Sequence, residues 1–167
     1  MEFSLKKLSA NDGIKIYNML QDIAKNENGF MNTINGVSYD VYKNWLIKKE
    51  QEALLTELKK GWKVPSTIYW LYINDIPVGM GKLRHFLTPK LEEEGGHIGY
   101  AIRKSERNKG YGTVLLKHLL KEAKNMNIEK VLITVQNHNK HSIKIGLNNN
   151  GKIVKQNDIR TYISIES

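Results

Sequence analysis

The 167-residue chain contains no cysteine. That absence excludes disulfides, thiolate metal sites and cysteine nucleophiles. No apolar run approaches the length of a membrane span, and Glu2 and Lys6-Lys7 flank no apolar core of the kind a secretory signal needs. A cytoplasmic protein with no membrane partner is therefore expected. Internal repeats and low-complexity linkers are missing too, so one domain over residues 1–167 is the simplest expectation. Acidic residues are comparatively few, 17 against 26 lysines and arginines, leaving a net charge of +9. Such a surplus suits a nucleic acid or a polyanionic small molecule. The lysines are scattered rather than stacked on one helix face, and no nucleic-acid motif accompanies them, so nucleic acid is not expected as a partner. The remaining composition, 40% apolar and 26% charged, is ordinary for a soluble globular protein long enough to bury a core.

Periodicity gives an order of elements. Phe3 to Leu8 reads as a strand, and Ser9 with Asp12 as a capping box. A helix to about Lys25 follows, with Ile16, Tyr17, Leu20, Ile23 and Ala24 on one face. Residues 26–37 read as a loop rich in Asn and Gly. A second helix is expected after Ser38, running to about Lys59 and burying Val41, Tyr42, Trp45, Ala53 and Leu58. Ser66 to Ile73 alternates like a strand, Asn74-Asp75 makes a turn, and Pro77 to Leu87 returns as its partner. Thr88 to Gly96 is expected to be a loop carrying Glu92-Glu93-Glu94. His97 to Ile102 is a further strand, and Val114 to Met126 is strongly amphipathic. The β-branched run Val131-Leu132-Ile133-Thr134-Val135 fits a strand buried on both faces. A short helix from Asn139 to about Asn149 and a closing hairpin, Lys152 to Gln156 with Asp158 to Ile165, complete one α+β arrangement.

The stretch Arg107-Asn108-Lys109-Gly110-Tyr111-Gly112-Thr113 lies between a strand and an amphipathic helix. The first N–H groups of such a helix lack intrahelical partners, and its dipole favours negative charge there, so the helix start can hold phosphate. Two glycines let backbone approach a ligand closely, and two basic residues share the loop. A P-loop is excluded because Thr113-Val114, not a Lys-Ser or Lys-Thr pair, follows Gly112. A dinucleotide fingerprint is excluded by the bulky Leu115 at its third small-residue position.

What remains, R-x-x-G-x-G after a strand and before a helix, resembles the acyl-CoA-binding motif of the GNAT N-acetyltransferases. Asn139-x-x-Ser142-Ile143, after the strand ending at Gln136, is similar to a second segment of that family. The order of elements resembles the family along essentially the whole chain. More narrowly, residues 95–100 and 62–70 look like a group of bacterial predicted acetyltransferases. The resemblance implies a GNAT fold, with a central mixed, mostly antiparallel sheet flanked by helices. It also implies acetyl-CoA as co-substrate, a small amine-bearing acceptor, and a plausible homodimer through the C-terminal strands. Arg107, Asn108, Lys109, Gly110, Tyr111, Gly112 and Thr113 would line the pyrophosphate cradle. Ile98, Tyr100, Ala101 and Ile102 would run beside the pantetheine arm like an added strand, in a splay between two parallel strands. Asn139 and Ser142 would lie along the same arm.

Direct attack by the acceptor needs a neutral amine, hence a base. The resemblance puts His97 at the base position, with Glu94 close behind it; a histidine that only bonds its neighbours is the competing reading of His97. Many family members protonate the leaving thiolate with a tyrosine seven residues after the motif asparagine, but Gly146 stands there. Ser142, Tyr100 and Tyr162 are the alternative donors, and a thiolate can also leave unaided, the free thiol having a pKa of about 8.5. The acidic run suits a cationic acceptor if it borders the cleft. The i, i+3 pair His138/His141 lacks a carboxylate, so no metal is expected. The missing tyrosine also motivates a different reading, a catalytically silent acyl-CoA-binding or regulatory module.

Overall fold

The computed structural model describes residues 1–56 and 61–167. Its largest sheet is four strands in the order β1-β4-β5-β6, every neighbouring pair antiparallel. These are β1 (Phe3–Lys7), β4 (Ser66–Ile73), β5 (Ile76–Arg84) and β6 (Ile98–Ile102). A second, three-stranded antiparallel sheet runs β7-β9-β8, from Lys130–Gln136, Arg160–Glu166 and Lys152–Gln156. A two-stranded hairpin, β2 (Asn26–Glu27) with β3 (Phe30–Met31), occupies the stretch expected to be a loop.

Helices cover both faces of the first sheet, which is why β4 is buried along almost its whole length. On one face lies α4 (Tyr111–Asn125), whose Leu115, Leu116, Leu119, Leu120 and Ala123 are buried in a core shared with the second sheet. Burying each such leucine contributes about 1.5–3 kcal/mol. A Cβ on Gly81 would stand 2.6 Å from Leu119, so the absent side chain is what lets α4 seat on β5. On the other face α1 (Ile14–Gln21) and α2 (Tyr39–Glu52) bury Ile16, Met19, Leu20, Tyr42 and Leu46 against Ile68, Trp70 and Met80.

Several boundaries differ from the sequence reading. The helix α1 ends at Gln21 because asparagine amides cap it: Asn32 Nδ2 donates to the carbonyls of Leu20 and Ile23, and Asn35 Nδ2 to those of Gln21 and Ile23. Those bonds also anchor the β2–β3 segment. Ser9 and Asp12 do form a turn, Ser9 N–H donating to Asp12 Oδ2 at 2.8 Å, but one turn ahead of the helix; Asp12 also accepts from the buried Trp70 indole. Ser38 caps α2 as expected, yet Val41 faces solvent, and Leu46 takes the buried position beside Tyr42. The helix ends at Glu52, with Ala53 at its C-cap, rather than near Lys59 as expected; Leu58 and Lys59 themselves lie outside the described residues.

The acidic run is a helix rather than a loop. Thr88 caps α3 (Pro89–Glu94) and Pro89 starts it, so Glu92, Glu93 and Glu94 are splayed around one turn. Strand β7 is buried on one face only, through Val131, Ile133 and Val135. Its other face opens into a groove.

The two sheets meet at one narrow joint. Gly96 opposes Ile133, with φ +66° and no room for a side chain, since a Cβ would sit 2.5 Å from the Leu132 carbonyl. Beside it His97 N–H donates to the Leu132 carbonyl at 2.8 Å. From that joint β6 and β7 both lead in chain order into the groove and separate. A wedge opens between them, lined by residues 98–100 on the β6 side and 133–136 on the β7 side.

Candidate active site

Two confluent cavities fill the wedge, of about 530 Å³ and 240 Å³. Tyr100, Asn139 and Ser142 line both, together with the tip of the β2–β3 hairpin. Those three residues therefore mark the junction.

The smaller cavity runs along the α4 start. Gly110 is the helix N-cap at φ +82°, and Asn108 is also left-handed at φ +62°. Gly110 is glycine for conformation, because a Cβ there would touch nothing within 4 Å. Gly112 is glycine for closeness: a Cβ would lie 2.6 Å from Ile145 Cδ1 of α5 (Lys140–Asn148). Among the described residues, the N–H groups of Asn108, Lys109, Gly110, Tyr111, Gly112 and Thr113 have no hydrogen-bond partner. Six unpartnered donors around one helix start are an anion cradle. Lys109 turns its side chain away to Glu106 at 2.8 Å and does not line the cavity.

Arg107 is committed elsewhere. Its guanidinium pairs bidentately with Glu27 at 2.6 and 2.7 Å and its Nε donates to the Ile102 carbonyl at 3.0 Å. Its side chain thus straps the hairpin to the end of β6, a role not foreseen from the motif.

The open edge of β6 can be read from its pairing. Arg84 N–H bonds the His97 carbonyl and Arg103 N–H bonds the Val78 carbonyl, so odd-numbered residues turn their backbone groups toward β5. By alternation, Ile98, Tyr100 and Ile102 turn theirs toward the wedge. Ala101 lines the smaller cavity without offering backbone groups to it.

The candidate catalytic residues are placed differently from one another. His97 lines neither cavity. Its Nδ1 accepts from Leu132 N–H at 2.9 Å, which leaves the ring's proton on Nε2. Burial first, and then the nearby Arg84 charge, push its pKa down to about 4. This is the geometry of a joint between sheets, and it does not support the expected role of base. Glu94 lines the larger cavity, with Lys90 at 3.4 Å. Glu92 and Glu93 are exposed.

Of the alternative donors, Tyr162 is buried and donates to the Glu93 carbonyl at 2.7 Å, away from the junction. Tyr100 and Ser142 hydrogen-bond each other at 2.9 Å at the junction itself. Burial raises the Tyr100 pKa to about 12, so its phenol stays protonated. Gly146 has a packing reason: a Cβ there would stand 2.9 Å from Ile163 of β9, and no phenol fits. Asn139 caps α5 by accepting from Ser142 N–H at 3.3 Å, which sets Ser142 beside Tyr100. His141 lines the smaller cavity, and His138 bonds Asn28 of the hairpin at 2.9 Å. Among the described residues no group of three or more His, Asp or Glu side chains is arranged to hold a metal ion.

The sequence reading missed the residues that wall the larger cavity: Phe30 and Met31 on the hairpin, Lys82 and Arg84 on β5, and Arg160 on β9. Only the position of Lys82 and Arg84 two apart on a strand carried a signal, since that spacing puts both on one face. No helix among the described residues is long and apolar enough to cross a membrane.

Residues 37–145, more than half of the chain, match the family model described as "Acetyltransferase (GNAT) family". Among solved structures, the ribosomal-protein-S5-alanine acetyltransferase of Vibrio fischeri is similar, at 11% identity and TM-score 0.71, over 99% of this chain and 93% of that one. The Campylobacter jejuni N-acetyltransferase PseH, in complex with acetyl coenzyme A, is 11% identical with TM-score 0.63, over 99% of both chains. An N-acetyltransferase from Staphylococcus aureus Mu50 is 18% identical with TM-score 0.65, again over 99% of both. No curated protein sequence matches. At such identities the structural likeness establishes the fold, and the match to the family model establishes the family: this chain belongs to the GNAT acetyltransferases.

Proposed function

We propose that the protein transfers an acetyl group from acetyl-CoA to a primary amine by direct attack in a ternary complex. The observation that carries this reading is the cradle of six unpartnered N–H groups continuous with the open edge of β6. Asn108 to Thr113 would hold the pyrophosphate, and Ile98, Tyr100 and the Ile102 N–H would pair with the pantetheine amides, the Ile102 carbonyl being taken by Arg107. The residues present therefore fit the cofactor. Acetyl-CoA supplies the acetyl group as an activated thioester.

The amine enters through the larger cavity. Its N–C bond forms as the C–S bond breaks, and its surplus proton goes to Glu94, directly or through one water. Of the two carboxylates lining the larger cavity, Glu94 is the one not held by an arginine. The Tyr100 phenol, oriented by Ser142, donates a hydrogen bond to the departing sulfur; a thiolate is stable enough near neutral pH that full proton transfer is not required. Tyr100→Phe is expected to lower kcat about tenfold, the usual scale for losing one transition-state donor of modest strength, with acetyl-CoA affinity unchanged.

The test is release of free thiol from acetyl-CoA in the presence of an amine panel. A cysteine-free protein gives no background in a thiol assay. Amine-dependent release supports the reading. Acetyl-CoA binding without release across the panel would favour a silent acyl-CoA-binding module.

A further inference from the structure

The acceptor cavity is lined by more basic than acidic side chains, Lys82, Arg84 and Arg160 against Glu27 and Glu94. Lys82 and Arg84 project from the face of β5 opposite α4, and Arg160 reaches the same cavity from β9. Lys82 is half-buried, and its ammonium has no hydrogen-bond or ion-pair partner among the described residues. The carboxylate that attracts it, Glu52, is already bonded to Lys49 at 3.0 Å. Arg84 donates through Nη1 to the carbonyls of Gly96 at 3.1 Å and Gly95 at 3.4 Å, while its buried Nε has no partner. The Arg160 guanidinium likewise has no partner among the described residues.

Opposite these three cations stand two carboxylates. Glu27 is neutralised by Arg107. Glu94 contacts Lys90 and is proposed above as the base. Burial pushes the Lys82 pKa down to about 8, so at neutral pH it is still mostly protonated, and desolvated. Half-buried cations held without a counter-charge are costly, and a bound anion offsets that cost. A polyamine or an aminoglycoside would instead meet like charge. The cofactor's phosphates do not supply the anion, because their cradle, Asn108 and Gly110 to Thr113, lines the other cavity and not this one.

We propose that the acceptor is a small amine that also carries a carboxylate or phosphate, held by Lys82, Arg84 and Arg160, with its carbon body against Phe30, Met31 and Trp62. A cavity of about 530 Å³ suits a small molecule. This rests on the acetyltransfer reading above, and reverses the cationic acceptor that Glu92-Glu93-Glu94 suggests from sequence alone.

The test uses the full chain and the double variant Lys82→Met, Arg160→Gln, which spares the structurally bonded Arg84. Titration with acetyl-CoA comes first. No binding to the wild type would defeat the acetyltransfer reading itself; weakened binding in the double variant would assign the cations to the cofactor and overturn the acceptor proposal alone. The CoA-loaded protein is then titrated with acetate, inorganic phosphate and spermidine. One of the two anions is expected to bind, about tenfold or more weaker in the double variant, with spermidine not binding. Binding of spermidine, or of neither anion, overturns the proposal. Thiol release with matched pairs, lysine against 1,5-diaminopentane and phosphoethanolamine against ethanolamine, separates carboxylate from phosphate. The anion-bearing member of the preferred pair is expected to show a kcat/KM at least about tenfold higher, the double variant losing it mainly through KM. Equal or faster release with the anion-free members would refute the assignment, and if no pair turns over, the anion titration decides.

Discussion

Gly110→Val is expected to weaken acetyl-CoA binding about 100-fold while the protein stays folded. Gly110 holds φ +82° at the N-cap of α4. An L-residue in that region costs about 1–2 kcal/mol, and a β-branched one more. The loop escapes by moving φ to a negative value, which turns the N–H groups of residues 108–113 away from their common centre. Nothing lies within 4 Å of the new Cβ, so no core contact is broken. The effect should therefore appear in isothermal titration with acetyl-CoA, with a melting midpoint within a few degrees of wild type. Gly112 is a poorer probe, since a side chain there collides with Ile145 and confounds binding with packing. Retained affinity in Gly110→Val would remove the cradle from the account.

His97→Ala is expected to act on stability and not on the neutral pH dependence of turnover. Its loss leaves the Leu132 N–H without an acceptor at the joint between the sheets, at a cost of about 1–3 kcal/mol. For a chain of this size that lowers the melting midpoint by roughly 2–4 °C per kcal/mol. The acid side carries a second signature. The folded protein keeps this ring neutral down to about pH 4, whereas the unfolded chain protonates it below its ordinary value of 6.5. Protons therefore bind preferentially to the unfolded state between those limits, and stability is complete above pH 6.5 and declines as pH falls toward 4. His97→Gln, whose amide oxygen can still accept from Leu132, should keep much of the neutral-pH stability and lose that acid decline. Chemical denaturation at pH 7.5 and pH 5 reads both. A variant of normal stability that had lost a limb of the pH–rate profile near neutrality would return His97 to the role of base.

Most of the framework was legible because its signals are local. Asn74-Asp75 announced the β4–β5 hairpin, Ser38 the start of α2, and Gly110-Tyr111-Gly112 the entry to α4. Signals that depend on what packs across a distance were misread. The apolar run of β7 suggested burial on both faces, yet one face opens into the wedge, whereas β4, read as alternating, is covered by helices on both sides. Asn32 and Asn35 looked like loop composition and prove to be the caps that end α1. At the site, motif spacing located the cradle, but the roles of side chains depended on partners distant in sequence. Arg107 is taken by Glu27, 80 residues away, and His97 by Leu132, 35 residues away. Tyr100 meets Ser142 across 42 residues. The walls of the acceptor cavity come from stretches far apart in the sequence, among them the β2–β3 hairpin, Trp62, β5 and β9, so no single stretch could display them.

The most direct test of the central claim is isothermal titration of the purified protein with acetyl-CoA and, separately, with CoA. The account predicts one site of roughly micromolar affinity for both, about −8 kcal/mol, because the cradle and the β6 edge contact parts that the two ligands share. No detectable binding of either would contradict it, leaving a family member whose cradle does not work.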